Sequence, residues 1–201
     1  MSESAHVYPP ADGAPHVAKL SVGPYDNNVY VLSGGGEAII VDGAAEPDRI
    51  LEQVEGLRVT AIVQTHDHAD HVQALAALVR ELGCPVRAHP DDRWPVPIEP
   101  LRDGETFEIG GFELHAVHTP GHTPGSTCYV TGPYLFSGDT LFPGGPGNTD
   151  GDAQRFGRVM QSLDDLFATL PDATRICPGH GLDSTIGRER PHVEEWRARG
   201  W

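Results

Sequence analysis

The apolar positions fall into short runs divided by glycine, and their period changes along the chain. Residues 17–22, 28–32 and 38–41 are brief and apolar, and Gly34-Gly35-Gly36 separates the last two, which predicts strands with a hairpin between them. Glu46-Pro47 opens an amphipathic stretch over 48–55, with proline near the first helical position. Residues 59–63 (V-T-A-I-V) are β-branched and apolar, as a buried strand requires. Beyond them Val72, Leu75, Ala76, Leu78, Val79 and Leu82 recur at helical spacing, and Gly83 ends the helix. In the second half, Thr106–Ile109 and Phe112–His118 predict strands joined at Gly110-Gly111. Residues 127–130 and 134–136 predict a hairpin turning at Gly132-Pro133. Residues 156–170 and 189–199 predict helices, 174–177 a short strand, and the Gly- and Pro-rich 141–151 a loop. Residues 1–16, rich in Pro, Ala and Gly, read as a flexible N-terminal arm, and 17–201 as one domain. Strands and helices mix without strict βαβ alternation, so layered sheets flanked by helices are expected.

Composition narrows the function. The 201 residues carry a net charge of −15 with Lys19 the only lysine, which argues against nucleic acid as a partner. No apolar run reaches the length of a membrane span, and the first residues have neither a basic nor an apolar region, so the expected address is the cytoplasm. Cys84, Cys128 and Cys177 are widely spaced and odd in number, consistent with reduced, buried thiols.

The chemistry concentrates in Thr65-His66-Asp67-His68-Ala69-Asp70-His71, directly after the 59–63 strand. His66 and His68 alternate in an extended segment, so both imidazoles reach one side, while Asp70 and His71 are redirected where the chain turns into helix. Imidazoles with carboxylates suit Zn, Fe or Mn, and the absence of a cysteine partner argues against a closed structural zinc site. Three more pieces follow strand ends: T-P-G-H-T-P-G-S with His122, S-G-D-T with Asp139, and P-G-H-G with His180. An open site of this kind makes hydroxide available near neutral pH, which points to hydrolysis.

The ordered set H-x-H-x-D-H, T-P-G-H-T, G-D-T and P-G-H-G resembles the metallo-β-lactamase-fold superfamily, and more narrowly its glyoxalase II-like hydrolases, from about Val17 to Gly181. The resemblance implies an α/β fold, a four-layer αβ/βα sandwich with two divalent metal ions, most simply zinc, in a cleft at one edge. It implies His66, His68 and His122 on the first metal, Asp70, His71 and His180 on the second, and Asp139 bridging both, with Asp70 and Asp139 as the carboxylates of catalysis. Asp42 matches an aspartate beside the site in this family, where it orients ligands or simply ends a strand. The implied activity is hydrolysis of a small-molecule thiol ester by a monomer or homodimer. A thiolate departs without strong protonation, which favours thioesters over amides where no general acid is evident. Two departures stand out. Only residues 182–201 follow P-G-H-G, too few for the helical region that carries much of the glutathione surface in full-length relatives, and Val72-Gln73 stand where many relatives have glycines. Glutathione is therefore left open as the carrier. Competing readings are a mononuclear iron persulfide dioxygenase of the same fold, with ligands matching His66, His122 and Asp139, and a lactone or other ester hydrolase. A β-lactamase is set aside on the absence of a leader and the presence of Asp139.

Overall fold

The computed structural model describes residues 5–9 and 11–200. Chain order runs β1 (His6–Val7), β2 (His16–Val22), β3 (Asn27–Gly34), β4 (Glu37–Val41), α1 (Pro47–Gln53), β5 (Arg58–Val63), α2 (Leu75–Leu82), β6 (Val86–Ala88) and β7 (Glu99–Pro100). These seven strands make one sheet in sequence order, antiparallel as far as β4 and parallel from β4 to β7. The second half supplies β8 (Thr106–Ile109), β9 (Phe112–His118), β10 (Thr127–Thr131), β11 (Tyr134–Gly138), the small hairpin β12 (Leu141–Phe142) with β13 (Gly145–Pro146), α3 (Ala153–Thr169), β14 (Arg175–Pro178), β15 (Ser184–Thr185), α4 (Ile186–Glu189) and α5 (Val193–Arg199). The second sheet has the order β15-β14-β11-β10-β9-β8, with β11 and β14 parallel.

Alternation within each strand builds the layers. Tyr30, Leu32, Ile39, Val41 and Val63 turn toward Leu114, Ala116, Tyr129 and Phe136 of the other sheet, forming the central core. Their neighbours Val29, Val31, Ile40 and Ile62 turn outward to Ile50 of α1 and Leu75 and Leu78 of α2. Cys128, Leu135 and Ile176 turn outward to Met160 and Leu163 of α3 and Trp196 of α5. The result is the expected α/β sandwich of four layers, helices, sheet, sheet, helices. Strands apolar on both faces read as unbroken runs, because each face has a core to fill. Truncating Phe136, buried where the sheets meet, removes about 3–5 kcal/mol of packing.

Local chemistry sets the boundaries, and several differ from expectation. α3 begins at Ala153, earlier than expected, because the Asp152 side chain caps the N–H groups of Gln154 and Arg155. α2 begins only at Leu75, after a 3₁₀ turn over Ala69–His71. The expected 189–199 helix forms only from Val193, as α5, because its first turn is a 3₁₀ turn containing Pro191, which lacks the N–H a continuous helix needs. The expected 141–151 loop contains the β12–β13 hairpin.

The reading of 1–16 as a flexible arm needs correction within the described residues. β1 pairs with β2, and Tyr8 is 2 % exposed. The Tyr8 hydroxyl donates to Asp183 Oδ2 at 2.7 Å, and its ring stacks on Tyr134. An aromatic that fills a core position outweighs the loose-arm composition around it. Residues 1–4, 10 and 201 lie outside the described residues.

Two of the parallel pairs fix where function can sit. β4 and β5 end side by side at Val41 and Val63, and β11 and β14 end together at Gly138 and Pro178. Chain leaving these carboxyl ends delivers Asp42, His66, Asp139 and His180 to one edge of the sandwich, the edge at which open α/β sheets bind ligands.

Candidate metal centre

The His-rich loop is held from below by buried polar groups. Gln64 accepts from Gly43 N–H at 2.7 Å and donates to the His71 carbonyl at 3.1 Å. Asp42 adopts φ 65°, a left-handed conformation that a non-glycine residue keeps only when its surroundings hold it there. Its carboxylate accepts from Thr65 N–H at 2.7 Å and Thr65 Oγ1 at 2.8 Å, and lies 2.9 Å from His71 Nδ1. Of the two readings open for Asp42, the geometry supports the orienting one.

The T-P-G-H-T-P-G-S loop leaves β9 and is fastened on two sides. Gly121 has φ 146°, and any Cβ there would run into Val159 of α3. Arg155 donates to the carbonyls of Gly121 and His122 and pairs with Asp150. On the other side Asp92, 7 % exposed, accepts from Thr123 Oγ1 and Gly125 N–H, both at 2.7 Å. Next along that strap, Arg93 N–H donates to Asp67 at 2.9 Å. The β6–β7 connection thus clamps the His66–His68 loop and the His122 loop together.

All seven expected residues converge. Among the described residues, His66, His68 and His122 form one potential ligand group, Asp70, His71 and His180 another, and His66, His71 and Asp139 a third that joins them. Asp139 lies between: its Oδ2 is 3.6 Å from His122 Nε2, 4.0 Å from His66 Nε2 and 3.4 Å from His180 Nε2, and its Oδ1 is 3.4 Å from His71 Nε2. Asp70 Oδ2 is 3.4 Å from His180 Nε2 and 3.8 Å from His71 Nε2.

Hydrogen-bond partners assign the ring tautomers. Nδ1 of His66, His71, His122 and His180 faces Thr65 Oγ1, Asp42, the Asn148 carbonyl and the Tyr25 carbonyl. Each of these oxygens accepts a hydrogen bond from the Nδ1–H, so each Nε2 is the atom turned inward, as outer partners of metal-bound histidines leave it. His68 turns its Nδ1 inward instead, 2.9 Å from His122 Nε2. His66 Nε2 and Asp139 Oδ1 are buried with no hydrogen-bond partner. Buried polar atoms of this kind are costly unless something else satisfies them. The donor set, the tautomers and the two orphaned atoms fit a pair of divalent cations.

Electrostatics divides the cluster. Burial pushes His66 well below its ordinary value, with the neighbouring His71 adding to the effect. Burial also lowers His122. Burial opposes charge on His71 too, yet the Asp139 and Asp42 carboxylates beside it carry it up to about 10. His180 moves the same way, with burial outweighed by Asp139. For Asp139, burial favours the neutral acid, but His180 and His71 hold it well below the carboxylate range. Asp70 is also lowered: burial is outweighed by the Asn27 amide, which donates at 2.9 Å, and by His71.

Other titratable groups stay apart from the centre. His89 and His118 stack with centroids 3.9 Å apart and planes 5° apart, so their in-plane lone pairs run side by side. With Asp91 they form a separate potential ligand group. Arg155 is spent on salt bridging and loop carbonyls. Cys128 and Cys177 are buried, and burial pushes Cys128 up to about 11 and Cys177 higher, so neither is a nucleophile. Sequence reasoning missed Asn27, Gln64, Thr65 and Asp92, whose polar side chains hold ligands or ligand loops. It also missed the Tyr25 and Asn148 carbonyls, which no side-chain pattern reveals.

The model of the family described as "Metallo-beta-lactamase superfamily" matches residues 22–180, the span that contains all seven residues. The chain belongs to the metallo-beta-lactamase superfamily. Within it, the BLEG-1 B3 metallo-beta-lactamase is 30 % identical with a TM-score of 0.78, over 88 % of this chain and 97 % of that one. The protein TTHA1623, solved in a di-iron-bound form, is 33 % identical with a TM-score of 0.74, over 86 % and 96 %. ETHE1 from Myxococcus xanthus is 29 % identical with a TM-score of 0.78, over 88 % and 82 %. A β-lactamase, set aside on the sequence, is thus among the superfamily neighbours. No helix among the described residues is long and apolar enough to cross a membrane.

Proposed function

We propose that the protein is a two-metal hydrolase that cleaves a small-molecule thioester, the glyoxalase II-like reading, with no nucleic acid or membrane as partner. One observation carries it: the Asp139 carboxylate stands between two His-containing groups, so a single side chain faces both metal positions. His66, His68 and His122 would hold one cation and Asp70, His71 and His180 the other, with zinc the simplest choice and iron or manganese compatible. TTHA1623 in its di-iron form supports a pair of cations in this fold. When bound, such a pair lowers the pKa of water to about 7 and polarises a carbonyl.

The chain's own residues do the rest. Asp139, kept ionised, accepts a hydrogen bond from the attacking water and fixes its direction. Asp70, also ionised and held by Asn27, completes the wall at His180. Water adds to the acyl carbon, the C–S bond breaks with its electron pair going to sulfur, and carboxylate and thiolate leave; of the two protons of water, one is lost to solvent and the other matches the proton the thiolate takes up there. With a thiol pKa near 8.5 the leaving group departs as thiolate, so the lack of a neighbouring acid is no obstacle. A second reading, an iron persulfide dioxygenase using His66, His122 and Asp139, is favoured by the likeness to ETHE1.

The test pairs elemental analysis of purified protein with thioester hydrolysis on the same sample. Near two metals per chain with thioester turnover is the expected result. One iron, oxygen uptake on a glutathione persulfide and no thioester turnover would replace this reading with the second.

A further inference from the structure

A pocket of 670 Å³ opens beside the second metal group, lined by Tyr25, Ala69, Asp70, Gln73 and His180. The His180 side chain is 24 % exposed there, against 0 % for His71 and 7 % for His122. Its position is therefore set less by packing around the ring than by bonds to its loop. That loop leaves β14 as Pro178-Gly179-His180-Gly181, and Gly181 adopts φ 65° with open space where a Cβ would stand. Glycine on both sides gives His180 a soft backbone that outside bonds must fix.

Those bonds come from the other sheet. On β3, Asn28 N–H donates to the Gly179 carbonyl at 2.7 Å, and the Asn28 amide donates to the carbonyls of Pro178 at 2.8 Å and Gly181 at 3.0 Å. The Tyr30 hydroxyl also donates to the Pro178 carbonyl, at 2.8 Å. On β2, Lys19 adds a charged donor: its Nζ donates to the Gly181 carbonyl at 2.7 Å and to Asp183 Oδ1 at 2.8 Å. The same ammonium lies 5.9 Å from the centroid of the Tyr30 ring, within cation–π reach. The Lys19 side chain is 13 % exposed, so water screens these contacts little. Hydrogen bonds with a charged partner are roughly twice as strong as neutral ones. Asp183 does not depend on Lys19, because the Tyr8 hydroxyl and Arg175 donate to its Oδ2 at 2.7 and 3.2 Å. What Lys19 adds is the link from that carboxylate, and from β2, to Gly181.

Resting on the two-metal reading above, we propose that Lys19, the chain's single lysine, is a positioning residue for the second metal position, acting on His180 through the Gly181 carbonyl. It touches neither cation nor substrate. With the ammonium in place, the Gly181 end of the loop is pinned to the first sheet. His180 then keeps Nδ1 at 2.8 Å from the Tyr25 carbonyl and Nε2 turned to Asp70 and Asp139. Without it, the Gly181 carbonyl keeps the Asn28 amide, and the loop gains freedom that a bound cation must remove. The loss falls on the second position, because His66, His68 and His122 all lie outside this loop.

The experiment titrates metal-free, full-length wild type, Lys19→Met and Arg175→Met with zinc by calorimetry at one pH, and follows thioester turnover at limiting and at excess zinc. Lys19→Met should weaken the second binding step by about ten- to a hundredfold and leave the first unchanged, the scale of losing a partner one layer out from a ligand. Its turnover should fall at limiting zinc and recover at excess zinc. Arg175→Met removes the other cation at Asp183 without touching the Gly181 carbonyl, so both of its steps should match the wild type. Lys19→Gln is read in the same way should Lys19→Met fail to fold. Two wild-type steps that the Lys19 variant weakens equally or not at all, or a second step lost as much in Arg175→Met, would overturn the positioning role and leave the hydrolase reading standing. Selective loss of the second step without thioester turnover by any of the proteins would overturn the hydrolase reading and sustain the positioning role. A single step in the wild type, or none, would remove both.

Discussion

The two halves of the metal centre are built differently. The His66, His68 and His122 group is nitrogen-only, and His66 and His122 are almost entirely buried and shifted toward the neutral form. The Asp70, His71 and His180 group includes a carboxylate and opens to the pocket, and both its histidines are shifted toward the protonated form. A cation at the first group meets two histidines shifted toward the neutral form, whereas one at the second must displace protons. The difference teaches that the two positions will not fill alike: the first is preorganised, the second is conditional on pH.

Removing what the halves share has the largest expected effect. Asp139→Ala should lower kcat/KM by about a thousandfold or more, the scale of losing a principal electrostatic group, while the protein stays folded by circular dichroism. A variant with wild-type turnover would end the shared-carboxylate account. Single-ligand variants separate the halves. His66→Ala should strip the first position and abolish turnover, whereas His180→Ala should retain about one metal per chain, measured by elemental analysis after dialysis.

Groups one layer out sharpen the comparison with smaller effects. Asp92→Ala should weaken zinc binding at the first position by about ten- to a hundredfold, because it releases Thr123 and Gly125, which directly follow His122 in its loop. Asp42→Asn should act mainly on the second position, through His71. Chelator competition distinguishes the two, and equal effects of both variants on both positions would erase the distinction.

The pH dependence has a definite sign. In the metal-free protein His71 keeps its proton up to about 10, so its favourable contacts with Asp139 and Asp42 are present below the ordinary histidine value and lost as pH rises through about 10. Loading zinc near pH 8 should therefore release at least about one proton per chain, measured with an indicator dye in weak buffer.

How much of this could be read from the chain differs between ligands and their supports. The seven candidate ligands were legible because H-x-H-x-D-H, T-P-G-H-T, G-D-T and P-G-H-G in that order resemble the superfamily's pattern, whereas a single histidine or aspartate at a strand end reads equally as a turn residue. The hairpins were legible at Gly34–Gly36 and Gly132-Pro133, where turn chemistry is local. Tyr8 was not, because its packing on Tyr134 and its bond to Asp183 join residues more than a hundred positions apart. Asp92 read as one more surface aspartate, since only the folded chain brings it under the His122 loop. The Tyr25 and Asn148 carbonyls belong to the backbone, so side-chain identity carries no trace of them.

The most direct test is a zinc titration of metal-free protein by calorimetry at several pH values between 6 and 8. The account predicts two binding steps per chain. The tighter should change little across the range, and the weaker should strengthen roughly tenfold or more per pH unit, one factor of ten for each proton displaced. A single step, or two steps with the same pH dependence, would contradict a shared centre with one preorganised and one proton-held half.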